Sequence, residues 1–263
     1  MAEPAASNLI EHKTDRQKEQ DNELVLSYTT MRNLIGFSGM LLPLVLMLFT
    51  KEANGMFVEP SISDYYYTKN GDILVVLLSV LGVFLITYNG YDWKEKVLTT
   101  LAAFCAIGVA FSPTGSVNID PNSVHTTINF GGHIIHFVFA AVFFISLAIV
   151  TLAYFPKTDS PKTIKPDGKK TAKSKRNMVY RICGWTMIVS VVLLLVYFLL
   201  LDAGTIKTDF PVVFLLETIA VEAFGISWLT KGETLLPDGE HYMMKAIRTV
   251  KKNLKGVNDP SRE

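Results

Sequence analysis

Two carboxylic acids, Glu217 and Glu222, stand inside one long apolar run, and two histidines, His133 and His136, open another. An ionisable side chain in hydrocarbon costs a few kcal/mol or more, so such groups turn toward the interior of a helix bundle and often mark a pathway or a site. The histidines are three apart and share one helix face. With Asp64, His125 or Glu217 as a third ligand, they offer zinc a coordination set that leaves a position open for water, the arrangement of metal-assisted hydrolysis. The same imidazoles can instead hydrogen-bond to water, lipid headgroups or Glu217, or respond to pH. Glu217 and Glu222 are five apart, about 140° around a helix, so the two do not aim at one spot. One can line a cavity while the other bonds to a neighbouring helix as packing glue.

A second candidate is the stretch Pro60-Ser61-Ile62-Ser63-Asp64, followed by Tyr65, Tyr66 and Tyr67. Ser and Asp side chains fold back on nearby backbone amides, so these residues predict an ordered turn leading into a helix. Ser63 and Asp64 are therefore placed to hold a headgroup or a metal. The tyrosine run reads as an aromatic belt at a membrane interface. There is no Walker lysine pattern, no Gly-x-Gly-x-x-Gly and no Gly-x-Ser-x-Gly, and the two cysteines, Cys105 and Cys183, fall inside apolar segments without CxxC spacing.

The elements that must carry these residues are membrane helices. The 263 residues are 49% hydrophobic and 19% charged, and the apolar residues gather into six runs near the length of about 20 residues that spans a bilayer. The runs are 33–50, 73–89, 97–111, 133–155, 178–201 and 211–229, which predicts an all-α integral membrane protein built as a six-transmembrane-helix bundle. Around them lie an N-terminal tail (1–31), a basic linker (156–177) that divides a four-helix part (32–155) from the last two helices (178–230), and a C-terminal tail (231–263). The first 31 residues are polar and lack the basic start and short apolar core of a cleavable signal, so the first span is expected to direct insertion itself.

Lysine and arginine set the orientation. Of the 25 in the chain, all but Lys51, Lys69 and Lys207 fall in the tails and in the second and fourth loops. Positively charged loops stay in the cytoplasm, so both termini are predicted to be cytoplasmic. At a rise of 1.5 Å per residue, His133 and His136 then lie within about 5 Å of the outer face, Glu217 about 9 Å below it and Glu222 about 16 Å below it. In the tail, Met243, Ile247, Val250 and Leu254 recur at helical spacing among lysines, which predicts a basic amphipathic helix on an anionic leaflet. A net charge of +1 gives no reason to expect nucleic acid as a partner; membrane lipids are the expected one.

The chain also resembles known membrane families. Pro60, Ile62, Ser63 and Asp64, set between the first two of six spans, resemble the Pro-x-Ile-Ser-Asp signature of the damage-regulated autophagy modulator and Sfk-type family. The last span, with Glu217, Gly225 and Trp228 before Lys231-Gly232-Glu233, is similar to a six-helix family of bacterial membrane proteins of unknown function. The resemblance implies a bacterial inner (plasma) membrane protein that handles lipids. It departs from the signature after Asp64, where the tyrosine run replaces the usual glycine. More distantly the chain resembles the ceramidase and adiponectin-receptor superfamily of intramembrane zinc hydrolases, although those have seven spans and a His-x-x-x-His pair. The expectations that follow are a lipid or small amphiphile bound in the outer half of the bundle by Ser63, Asp64, His133, His136, Glu217 and Glu222; a zinc hydrolase with His133, His136 and Asp64 on the metal; or a proton- or ion-coupled carrier using Glu217 and Glu222.

Overall fold

The computed structural model describes residues 28–49, 58–112, 114, 133–157, 172–202 and 210–236. Most of the basic linker, the N-terminal tail, His125 and the proposed amphipathic helix beyond Leu236 lie outside them. The described residues form six α-helices and no strand. These are α1 (Tyr28–Phe49), α2 (Gly71–Thr87), α3 (Trp93–Phe111), α4 (His133–Ile149, continued by a π-turn over Val150–Tyr154), α5 (Ala172–Asp202) and α6 (Val212–Lys231), with a 3₁₀ turn at Ser63–Tyr67.

Four of them, over Thr29–Phe49, Ile134–Tyr154, Lys173–Leu200 and Val212–Lys231, are long and apolar enough to cross a membrane, and α2 is a shorter apolar helix. Helix α3 reaches further back than hydropathy indicates because Asp92 caps it, its carboxylate accepting from the Lys94 amide at 3.1 Å. Capping chemistry, and not apolarity, sets where that helix begins.

Each helix packs on the next in sequence, and α1 packs on α6, so the six close into a ring. The closing contact is tight. A Cβ on Gly225 would meet the Gly36 carbonyl oxygen at 2.9 Å and the Met40 amide nitrogen at 3.0 Å. Only glycine permits that approach of two backbones, the device by which membrane helices gain packing when lipid is as apolar as they are. Of the four long apolar helices α5 is the least covered, with 22% of its apolar window buried against 50% for α6.

The helices alternate in direction. At one end, Arg32 of α1 stacks on Tyr88 and Tyr91 after α2, Tyr88 donates to Glu95 of α3 at 2.9 Å, and Lys231 of α6 donates to the Phe155 carbonyl after α4 at 2.9 Å. Arg176 near the start of α5 donates to the carbonyl of Leu236 at 3.0 Å, completing that end. The 3₁₀ turn, the end of α3 and the starts of α4 and α6 meet at the other.

Candidate functional site

The second end gathers the residues singled out above. Ser61 begins the turn, its hydroxyl accepting from the Asp64 amide at 3.0 Å. A serine hydroxyl bonded to the amide three residues on is a local side-chain-to-backbone bond that helps order the stretch. Two strong bonds then dock the turn onto α6: the Phe214 amide donates to the Pro60 carbonyl at 2.9 Å, and the Ile62 amide donates to Glu217 Oε2 at 2.6 Å. A carboxyl oxygen that accepts a buried backbone amide spares that donor the cost of lying unpaired.

The tyrosines do not form an exposed belt. Tyr65, Tyr66 and Tyr67 are buried at 1%, 9% and 6% exposure. Tyr65 lies 6.1 Å from the Phe214 ring and receives the Glu59 amide on its hydroxyl at 3.4 Å. The turn folds inward because α6 supplies both an amide-binding carboxylate and an aromatic partner, so the rings gain more from protein than from the interface.

On its other flank the turn meets α4. Ser63 Oγ and His136 Nε2 are 2.8 Å apart, and His136 Nδ1 is 2.6 Å from the Ser112 carbonyl oxygen at the end of α3. A carbonyl only accepts, so Nδ1 carries the ring proton, Nε2 is the acceptor, and Ser63 donates. His136 is 2% exposed. Asp64 is half-buried and accepts from the Thr114 hydroxyl at 3.4 Å. Burial pushes its carboxyl above the ordinary value, against the opposing pull of hydrogen bonds from Ser61 and Thr114.

Behind the turn, within the ring of helices, lies a cavity of about 60 Å³. One water needs roughly 10–15 Å³, so this is room for a few waters or a short segment of a larger molecule. Leu42, Leu74, Leu78, Leu81, Phe143, Phe144, Val221 and Phe224 make most of its wall; Ser63 and Glu217 are its polar groups. Glu217 is half-buried because it faces this space.

The residues expected together from sequence are thus brought together in part. Ser63, His136 and Glu217 converge on the turn, with Asp64 beside them. Glu222 is half-buried and does not line the cavity, as the turn of about 140° between the two glutamates requires. His133 opens α4, and its side chain lies outside the described residues. Among the described residues no three His, Cys, Asp or Glu side chains cluster closely enough to hold a metal ion, and both nitrogens of His136 already have partners. The expected zinc set of His133, His136 and Asp64 includes one side chain, that of His133, outside the described residues.

Sequence reasoning missed Ser112, which acts through a backbone carbonyl and leaves no side-chain signal. It also missed the opposite end, where Arg32, Glu95 and Lys231 are buried at 6%, 2% and 6% exposure. The signal there was present, since a glutamate between two lysines and two tyrosines nearby is an unusual way to begin a membrane helix. No family model, curated protein or solved structure matches the chain.

Proposed function

We propose that this protein is a six-span membrane protein with both termini in the cytoplasm, which binds a lipid or small amphiphile in the outer half of its bundle. The observation that carries the reading is an apolar cavity whose polar groups, Ser63 and Glu217, come from the turn and from α6 and sit together at one end. Ligand sites typically combine a mostly apolar wall with a few placed polar groups that fix orientation. An acyl segment suits the leucine and phenylalanine wall, and the amphiphile's polar portion suits the turn.

Six spans are supported by the closed, alternating ring. Helices α2 and α3 run between the same two ends as the four long apolar helices, so a membrane crossed by the four contains the other two as well. Lysine and arginine sorting puts the Arg32 and Lys231 end on the cytoplasmic side and the cavity toward the exterior. The lipid-handling role implied by the Pro-x-Ile-Ser-Asp resemblance agrees with the place of that stretch at the cavity's edge, and an inner (plasma) membrane location follows the same resemblance.

The test is lipid retention. The protein is purified in a mild detergent and the bound lipid is identified by native mass spectrometry, beside variants that fill the cavity, Ala140→Phe and Ala106→Phe. Wild type carries lipid and the filled variants release it. Equal retention by wild type and both folded variants overturns the reading.

A further inference from the structure

We propose that Ser63 is the nucleophile of an acyl-transfer site, with His136 as its general base, acting on the acyl ester of an amphiphile whose chain occupies the cavity. This rests on the lipid-binding reading above and adds a reaction to it.

Three features of the geometry carry the inference. Ser63 Oγ lies 2.8 Å from Nε2 of His136, within the reach a general base needs. The base is held in the competent tautomer by a third group, the Ser112 carbonyl, 2.6 Å from Nδ1. Nucleophile, base and orienting group in a line are the general signature of an activated serine. Ser63 also lines the cavity, while His136 stands behind it at 2% exposure. The hydroxyl thus stands between the space that would receive a substrate and the base that would take its proton. A serine–histidine bond made only for packing has no need to stand at a cavity wall. Asp64 lies near enough for its charge to act on His136, where it would favour the imidazolium formed during reaction. Glu217 acts as a positioning residue, because its bond to the Ile62 amide fixes the backbone immediately before Ser63.

The step balances without metal or redox partner. Ser63 Oγ attacks the ester carbonyl carbon, and its hydroxyl proton passes to His136 Nε2. The bond from that carbon to the alcohol oxygen breaks, and the departing oxygen takes the proton from His136. Acyl-Ser63 and a free alcohol result. Water or a second alcohol then attacks the acyl carbon, giving its proton to His136, which returns it to Ser63 Oγ as that bond breaks. The products are a free fatty acid or a new ester.

The experiment uses the full chain in nanodiscs of phosphatidylethanolamine and phosphatidylglycerol, treated with a long-chain alkyl fluorophosphonate. A single adduct is expected, mapped by peptide mass spectrometry to Ser63 in wild type, so that no variant has to fold for this arm to count. Ser63→Ala abolishes the adduct, and His136→Gln slows its formation by about 100-fold or more, the usual worth of a general base. Free fatty acid should accumulate from the nanodisc lipid with wild type and not with Ser63→Ala. Retained lipid is measured on the same samples. Lipid bound without any Ser63 adduct or released fatty acid overturns the acyl-transfer site and leaves the binding reading standing. Neither lipid nor adduct overturns both, and an adduct mapped elsewhere overturns the assignment of Ser63.

Discussion

Glu217 accepts the amide of Ile62 at 2.6 Å across 155 residues of chain, and that single bond ties the loop after α1 to the last helix of the ring. A glutamine at 217 retains an oxygen that can accept the same amide, whereas alanine leaves a buried N–H without a partner. Orphaning a buried donor costs about 1–3 kcal/mol. Glu217→Gln is therefore expected to melt close to wild type in detergent and Glu217→Ala well below it. Equal melting of the two variants would mean that this bond does not hold the turn.

Ser63 and His136 are expected to be energetically coupled whatever chemistry they perform. Truncating either leaves the other's buried polar atom short of a partner, so the second truncation should cost less than the first. A double-mutant cycle with Ser63→Ala and His136→Ala should give a coupling of about 0.5–3 kcal/mol. Strict additivity in thermal or denaturant unfolding would show that the 2.8 Å contact carries no net free energy.

Much of this end of the molecule was legible in the sequence, and the reasons are physical. Hydrophobic length located the six described helices, and the rarity of ionisable groups in apolar runs pointed to His136 and Glu217. The Ser and Asp side chains of residues 61–64 predict an ordered turn, and the Ser61 hydroxyl accepts the Asp64 amide there. Tertiary burial was not legible. Tyr65 to Tyr67 read as an interfacial belt because their composition is the same whether lipid or protein covers them. Lys231 reads as the start of the C-terminal tail, since one sequence does not reveal that the Phe155 carbonyl will meet it.

Asp64 makes stability depend on pH. Burial raises its carboxyl above the ordinary value of 3.8, so the folded protein keeps this proton to higher pH than the unfolded chain does. Stability contributed by the group is full below that value and falls as pH climbs through the window above it. Asp64→Asn, which preserves shape and an acceptor for Thr114, should melt above wild type at neutral pH, with the advantage shrinking on acidification. A gap that widens toward acid would reverse the sign and contradict the burial-dominated picture.

The α1 to α6 seam should tolerate no side chain at Gly225. A Cβ there would meet the Met40 side chain at Cγ and, behind it, two backbone atoms, the Gly36 carbonyl oxygen and the Met40 amide nitrogen; the side chain can shift, but the backbone atoms cannot move without displacing their helix. Overpacking of this kind costs about 1–3 kcal/mol or more. At Gly184 the obstacle is the Leu152 side chain, which can change rotamer, so Gly184→Ala should be the milder substitution. Thermal melts of Gly225→Ala and Gly184→Ala compare them directly, and a larger loss at Gly184 would count against the seam as the tight point of the ring.

Orientation decides which leaflet the cavity faces. Arg32, Arg176 and Lys231 collect at the end opposite the turn, and the linker and C-terminal tail carry most of the remaining basic residues. Reversing the chain would move all of these across the membrane, against the retention of positive loops in the cytoplasm. Two single-cysteine variants, Lys170→Cys and Lys207→Cys, each made with Cys105 and Cys183 replaced by alanine, should therefore behave oppositely toward a membrane-impermeant maleimide on intact cells. The Lys207→Cys variant should label at once, and the Lys170→Cys variant only after permeabilisation. The reverse pattern would turn the Ser63 cavity toward the cytoplasmic leaflet, and any ligand would then have to come from that side.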